Sequence, residues 1–436
     1  MSFIADKQTL DDLSLLGKYN ANSIFSLFNQ VKTRGAEKLL DTMFLHPLTD
    51  ADQINARSAA FRYFGDQPIP FPFEEQLLGS TEAFLDEGCN SNFPLALWQI
   101  GRKKLAALLV KDDAYELQLQ GIATCVQLLK GFTTLLGQLE KEGRDKNTPW
   151  EKWVAGARSI VRDKRLQNIN DERSLLQTAK LHYLLAHVFQ DKLKALLALT
   201  YEIEVYITVS GIAKAKGFSY AKALPKEKNV LAAKGVKHPG LDKAVPNTLS
   251  FNGNSNVLFL TGANMAGKST LMKATGIMVY LAHMGFPVAA QELEFSVLDG
   301  IYSSVNVPDD LNRGYSHFYA EVLRVKKVAE EVDADKHLFV IFDELFKGTN
   351  VKDAYDATLA VTAAFTAFRD CFFIISTHIF EVGDALKTEG DHIQFEFLPT
   401  IMEGTVPKYT YTLQKGITTD RQGMIIIENE GILDML

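Results

Sequence analysis

The chain has 436 residues and carries 46 lysines and arginines against 53 aspartates and glutamates, a net charge of −7. That length allows two or three domains with cores of their own, and the acidic balance excludes a surface coated with positive charge for nucleic acid, leaving room only for a local basic patch. Its three cysteines, Cys89, Cys125 and Cys371, lie far apart and never in CxxC spacing, so neither a disulfide framework nor a zinc site is expected.

The first residues, MSFIADKQTL, have neither the basic start nor the apolar core of a secretory signal, and a cytoplasmic protein is expected. From residue 22 to 44 the apolar residues Ile24, Phe25, Leu27, Phe28, Val31, Leu39, Leu40 and Met43 recur at helical spacing, until His46-Pro47 stops the pattern. Further helices are expected over 94–110, 114–142, 174–190 and 192–216, with Gly217 and Pro225 closing this half. The apolar run 195–213 comes nearest to a membrane span, but Glu202 and Glu204 sit inside it, which points to a buried helix. Between 141 and 170 the chain is polar and holds Trp150 and Trp153. A helix-to-helix turn with an aromatic anchor is expected there; the alternative is a basic contact from Arg144, Lys146, Lys152, Arg158, Arg162, Lys164 and Arg165.

After about residue 226 short apolar runs, VLFLT at 257–261, HLFVIF at 337–342 and CFFIIST at 371–377, alternate with longer helical patterns. Buried parallel strands with crossover helices account for this, and 408–429 reads as added strands near a sheet edge. The expected fold class is therefore an all-α domain over 1–225 followed by an α/β P-loop domain over 226–436.

Three constellations carry chemistry. TGANMAGKST, 261–270, satisfies G-x-x-x-x-G-K-[ST] between a strand and a helix. Its glycines let successive N–H groups turn inward around a phosphate at a helix N-terminus. Gly262, Ala263, Asn264, Met265, Ala266, Gly267, Lys268, Ser269 and Thr270 are thus candidate ATP-binding residues, with Lys268 facing the β and γ phosphates and Ser269 suited to Mg2+. The run 339–344 ends a strand in Asp343 and Glu344, where a buried strand end needs a cation or substrate for its carboxylates. Asp343 fits a Mg2+ partner, and Glu344 the group that positions the attacking water. Third, His378 stands just past the strand ending at Ile375, placed to reach the γ-phosphate or that water.

With their flanks these elements resemble the MutS family of DNA mismatch repair ATPases. That family's phosphate loop reads TGPNMGGKST, its DE(L/I)GRGTS is DELFKGTN here, its THYFEL is THIFEV at 377–382, and its DDL..G.STFMVE is DDLNRGYSHFYAE at 309–321. The resemblance implies an ABC-type ATPase whose domains pair head to tail, Ser316 of one subunit completing the nucleotide site of the other. It implies ATP and Mg2+ as cofactors, a homodimer, and DNA, mismatched or otherwise structured, as the load; an ATP-driven switch on a protein partner is the alternative. KHPGLDKAVPNTLSF, 237–251, resembles the strand-loop before the family's phosphate loop, with His238 in its RHP motif. Ala244 stands where relatives carry an adenine-stacking aromatic, Phe346 where they carry glycine and Lys347 where they carry arginine. Residues 22–64 and 202–225 resemble the two ends of the family's lever core. A chain without mismatch-binding, connector and C-terminal dimerisation parts is expected.

Overall fold

The computed structural model describes every residue except 1, 18, 19, 21, 68, 70, 111, 112, 142–147, 149, 167–173, 306–316, 389–391, 404, 405, 419–434 and 436. Two compact units interleave along the sequence: 1–29, 43–59 and 211–436 form an α/β unit, and 30–42 with 60–210 a helical one. The linear division drawn at residue 225 and this one differ most at the N-terminus, whose first residues enter the sheet of the α/β unit.

That sheet contains β1 (Ile4–Ala5), β2 (Val257–Gly262), β3 (Gly300–Ser304), β4 (Leu338–Phe342), β5 (Phe372–Ser376), β6 (Ile393–Leu398) and β7 (Gln414–Lys415). Their order is β1-β3-β4-β5-β2-β6-β7, all parallel except β7. The interior strands β2 to β5 are buried at every residue, which is why they read as unbroken apolar runs. The helix after β2, Lys268–His283, is buried along nearly its whole length. Gly276 permits its close approach, since a Cβ there would meet the Ile341 side chain of β4 at 2.9 Å.

β1 is held by charge as well as by its ladder. Arg324, buried on helix His317–Asp333, donates to the Asp6 carboxylate, to Thr9 Oγ1 at 3.1 Å and to the Ser303 carbonyl of β3 at 2.6 Å. Burial opposes ionisation of Asp6, yet hydrogen bonds from Arg324 and Lys327 outweigh it and hold the carboxyl below its usual range. Asp6 also caps helix Lys7–Asp12 through Thr9 N.

A second sheet orders Lys222–Leu224, Glu292–Ser296, Val230–Val236 and Asn247–Asn252 side by side. Near the C-terminus Thr400–Glu403 and Val406–Tyr409 make a separate hairpin, and Gln414–Lys415 forms the antiparallel edge of the main sheet. The remainder of the expected edge segment, 419–429, lies outside the described residues.

The helical unit has its core between helices Glu75–Glu87, Ala114–Lys141, Glu151–Val161 and Gln190–Lys216, around Phe84, Ile122, Phe132, Val154 and Leu196. The pattern expected as one helix over 22–44 is interrupted: Ile24–Phe28 is capped by Ser23, and Arg34–Leu45 starts anew where Thr33 Oγ1 accepts from Ala36 N. Periodicity alone misses this because both pieces keep the same spacing. Helix Leu175–Tyr183 opens on a Ser174/Gln177 capping box and passes into a π turn at Leu184–Val188. Trp150 and Trp153 stack at 5.6 Å, and Trp150 packs on Phe64. They anchor the core; Arg158 and Arg162 pair with Glu140, and Arg165 pairs with Asp163. Arg144 and Lys146 lie outside the described residues, as does the Lys152 side chain.

Candidate nucleotide site

The phosphate loop leaves β2 at its carboxyl end and closes into helix Lys268–His283. Gly267 takes φ +102 at the helix N-cap, a conformation that L side chains avoid. Met265 adopts φ +68 and is largely exposed. Lys268 is buried and folds back on the loop, its Nζ donating to the Gly262 carbonyl at 2.8 Å and the Ala263 carbonyl at 3.2 Å. Burial pulls its pKa down, while the charges of Asp343 and Glu344 push the other way. The ammonium is thus held against the loop's own carbonyls, where the charges of both carboxylates reach it.

The carboxylates come from the end of β4, with β5 between β4 and β2 in the sheet. Ser376, the last residue of β5, fixes both: its Oγ donates to Asp343 Oδ1 at 2.5 Å and accepts from Glu344 N at 3.1 Å. Glu344 sits at φ +55, uncommon for a residue with a side chain. His378 Nε2 lies 2.5 Å from Glu344 Oε1, and Lys347 Nζ lies 3.7 Å from Oε2. The His378 hydrogen bond, against the cost of burial, lowers the Glu344 pKa to about 2. A carboxylate so acidic is a weak proton acceptor and a strong orienting dipole. Phe346 takes φ +60 where the family motif has glycine, and its buried ring lies 6.1 Å from that of Phe318. Burial offsets the backbone strain there.

One cleft of about 620 Å³ unites the loop with the segment after strand Val230–Val236. Ala263, Asn264, Met265, Gly267, Lys268, Ser269, Thr270, His238 and Glu344 all line it, as does Ala244. Gly262 and Ala266 are buried beneath the loop, and Asp343 and His378 adjoin the cleft through their bonds to Ser376 and Glu344. Burial, reinforced by the charge of Lys273, keeps the His238 pKa low. Ser316 lies outside the described residues.

Sequence reasoning missed two contributors. Ser376 positions both carboxylates, and only its place beside His378 hinted at that. Tyr411, at φ +56, also lines the cleft, its ring close enough that a Cβ on Gly267 would meet it at 3.0 Å. Asn247 holds this residue in place, donating to the Tyr411 carbonyl at 2.9 Å and accepting from Leu413 N at 2.7 Å. No local pattern marks Tyr411, because its role depends on a partner 164 residues away.

A glycine loop at the end of one parallel strand, a lysine held in it and a carboxylate pair two strands away make up the arrangement of a P-loop domain. Its likeness to known proteins is more specific: residues 258–434 match the family model described as MutS domain V. Proteins named DNA mismatch repair protein MutS are similar over about half of the chain. That of Clostridioides difficile is 29% identical over 225 residues, 47% of this chain and 23% of the relative. That of a Thermus thermophilus strain is 32% identical over 184 residues, 42% and 22% respectively. The protein of Halalkalibacterium halodurans is 23% identical over 315 residues, 70% and 36%. The matched region thus spans between about a fifth and about a third of these relatives' lengths.

Proposed function

We propose that the protein binds ATP with Mg2+ in this cleft and hydrolyses it to ADP and phosphate, as a cytoplasmic homodimer that acts on DNA. The observation that carries this reading is the convergence of the phosphate loop, Lys268 and the Glu344–His378 pair on one cleft. Loop N–H groups and the helix N-terminus cradle phosphates, and Lys268 turns from the loop carbonyls to the β and γ oxygens. Glu344, held ionised by His378, orients water for in-line attack; phosphoryl transfer demands positioning more than proton abstraction. The donors we assign to Mg2+ are one hydroxyl, Ser269, and one carboxylate, Asp343. That set fits an ion that keeps several waters and takes its remaining oxygens from phosphates. When bound, Mg2+ would neutralise charge developing on the phosphate oxygens.

Tyr411 offers an aromatic face in the cleft that contains Ala244, and we assign it to the base. Ser316 acts across the dimer on the partner's nucleotide, and the helical domain is the lever that nucleotide state moves. The similarity to mismatch repair proteins supports DNA as the load. A second reading, a switch on a protein partner without DNA, is favoured by the net charge of −7.

An ATPase assay with and without homoduplex, mismatched, branched and single-stranded DNA tests both readings. Turnover that DNA stimulates is expected. Absence of binding to every DNA at low salt, where electrostatic affinity is greatest, would leave the protein-partner reading. Glu344→Gln is expected to retain ATP while losing hydrolysis, and equal turnover in both proteins would refute the assignment of Glu344.

A further inference from the structure

We propose that the outward face of helix Phe93–Val110, in the helical unit, is a self-association surface that pairs with the same helix of a second copy. The helix is apolar on both sides. Ala96 and Ile100 face the core of their own unit, fully buried. On the opposite side Leu95, Trp98, Leu105 and Leu109 are 50%, 60%, 57% and 74% exposed. With Arg102 these residues form the series 95, 98, 102, 105, 109. The alternating three- and four-residue steps are the a/d spacing of a helix seam that another helix fills with its own knobs.

The extent of the face suits a dimer. Leu108 flanks the seam at 75% exposure, and on the next helix Leu117 is 64% exposed. Together these side chains present on the order of 700 Å², above the largest apolar patch of an ordinary monomer and close to what one partner contributes to a standard interface. Its chemistry favours an identical copy. The positions bordering the seam are Gln99, Gly101, Ala106 and Leu108, all uncharged, so a differently charged partner would find no code to read along its edges. Lys103 is already paired with Glu87 at 2.7 Å. A Cβ on Gly101 would meet nothing within 4 Å, so the helix surface is low there and admits a neighbouring backbone. Arg102 is the one polar seam residue; its guanidinium lies 5.2 Å from the centroid of the Trp98 ring. A single polar seam position of this kind fixes register between helices.

The contact requires no nucleotide, which separates it from the head-to-tail pairing across which Ser316 is proposed to act. Sedimentation velocity on the full chain without nucleotide, at about 20 μM, well above the micromolar limit for interfaces of this size, is expected to show a dimer. Leu105→Glu with Leu109→Glu should weaken it at least tenfold, with helical circular dichroism and ATP binding unchanged, whereas Lys268→Ala should leave it intact. Hydrogen exchange over 95–109 in the wild type, which needs no substitution, should slow as concentration rises. A monomeric wild type, a dimer that survives both glutamates, or a monomer retained instead on anionic lipid vesicles would overturn the proposal.

Discussion

The Glu344 carboxylate accepts from His378 at 2.5 Å and has a pKa of about 2, so it is ionised throughout any physiological range. His378→Ala removes the main cause of that shift. The Glu344 pKa should then rise toward its ordinary value and turnover fall by about tenfold or more, as for loss of a positioned proton-bearing group. Unaltered turnover would detach His378 from catalysis. At Tyr411, stacking on a base is worth roughly 1–3 kcal/mol, so Tyr411→Ala should weaken ATP binding by about tenfold while leaving affinity for inorganic phosphate unchanged. Calorimetric titration with both ligands checks this. At this scale the glycines, Lys268, Asp343, Glu344 and His378 were legible in the sequence because each stands at fixed spacing from a strand end. Ser376 as a brace and Tyr411 as a cleft wall were not, since both are defined by partners far away in the chain.

Among the elements, the buried strands were legible for a physical reason: a strand covered on both faces has no polar alternation, and β2, β4 and β5 appear as continuous apolar runs. β1 has two residues and no such run; its place in the sheet comes from pairing with β3 and from Arg324. Helix Ala51–Asp66 was equally silent, because Ala51, Ala56, Ala59 and Ala60 blunt the contrast between its faces. Glu204 shows the converse. A carboxylate in an apolar helix argued against a membrane span, and the structure supplies its purpose: it is buried, and accepts from Lys32 N at 2.5 Å, Thr33 N at 3.1 Å and Thr33 Oγ1 at 2.6 Å. It thereby satisfies the donors just ahead of helix Arg34–Leu45. Glu204→Leu would strand those donors and should destabilise the helical unit by about 3 kcal/mol, Glu204→Gln by less, as read from urea unfolding. A loss below about 1 kcal/mol for the leucine variant would show that water replaces the carboxylate.

The whole molecule carries a pH liability in both units. His182, buried in the helical unit, has its pKa lowered to about 4 by burial, helped by the charge of Lys103. Its Nε2 lies 2.7 Å from Gln118 Nε2. His283 in the α/β unit is likewise lowered to about 4 by burial, despite its contact with the Leu48 carbonyl. Both are neutral when folded, but in an unfolded chain each binds a proton below about 6.5. Between pH 6.5 and 4 the unfolded state therefore holds more protons, so stability rises with pH and falls on acidification. From pH 7.5 to 5 each histidine should cost about 2 kcal/mol. Glu344 acts in a lower window: its folded pKa is depressed, so its contribution is present above about 4.5 and is lost as pH falls toward 2. His182→Gln, which keeps a polar partner for Gln118, should reduce the stability lost between pH 7.5 and 5 by about 2 kcal/mol, in denaturant titrations that follow Trp150 and Trp153. Since both tryptophans belong to the helical core, the change should appear in their transition. An equal loss in variant and wild type would mean that His182 becomes protonated within the fold.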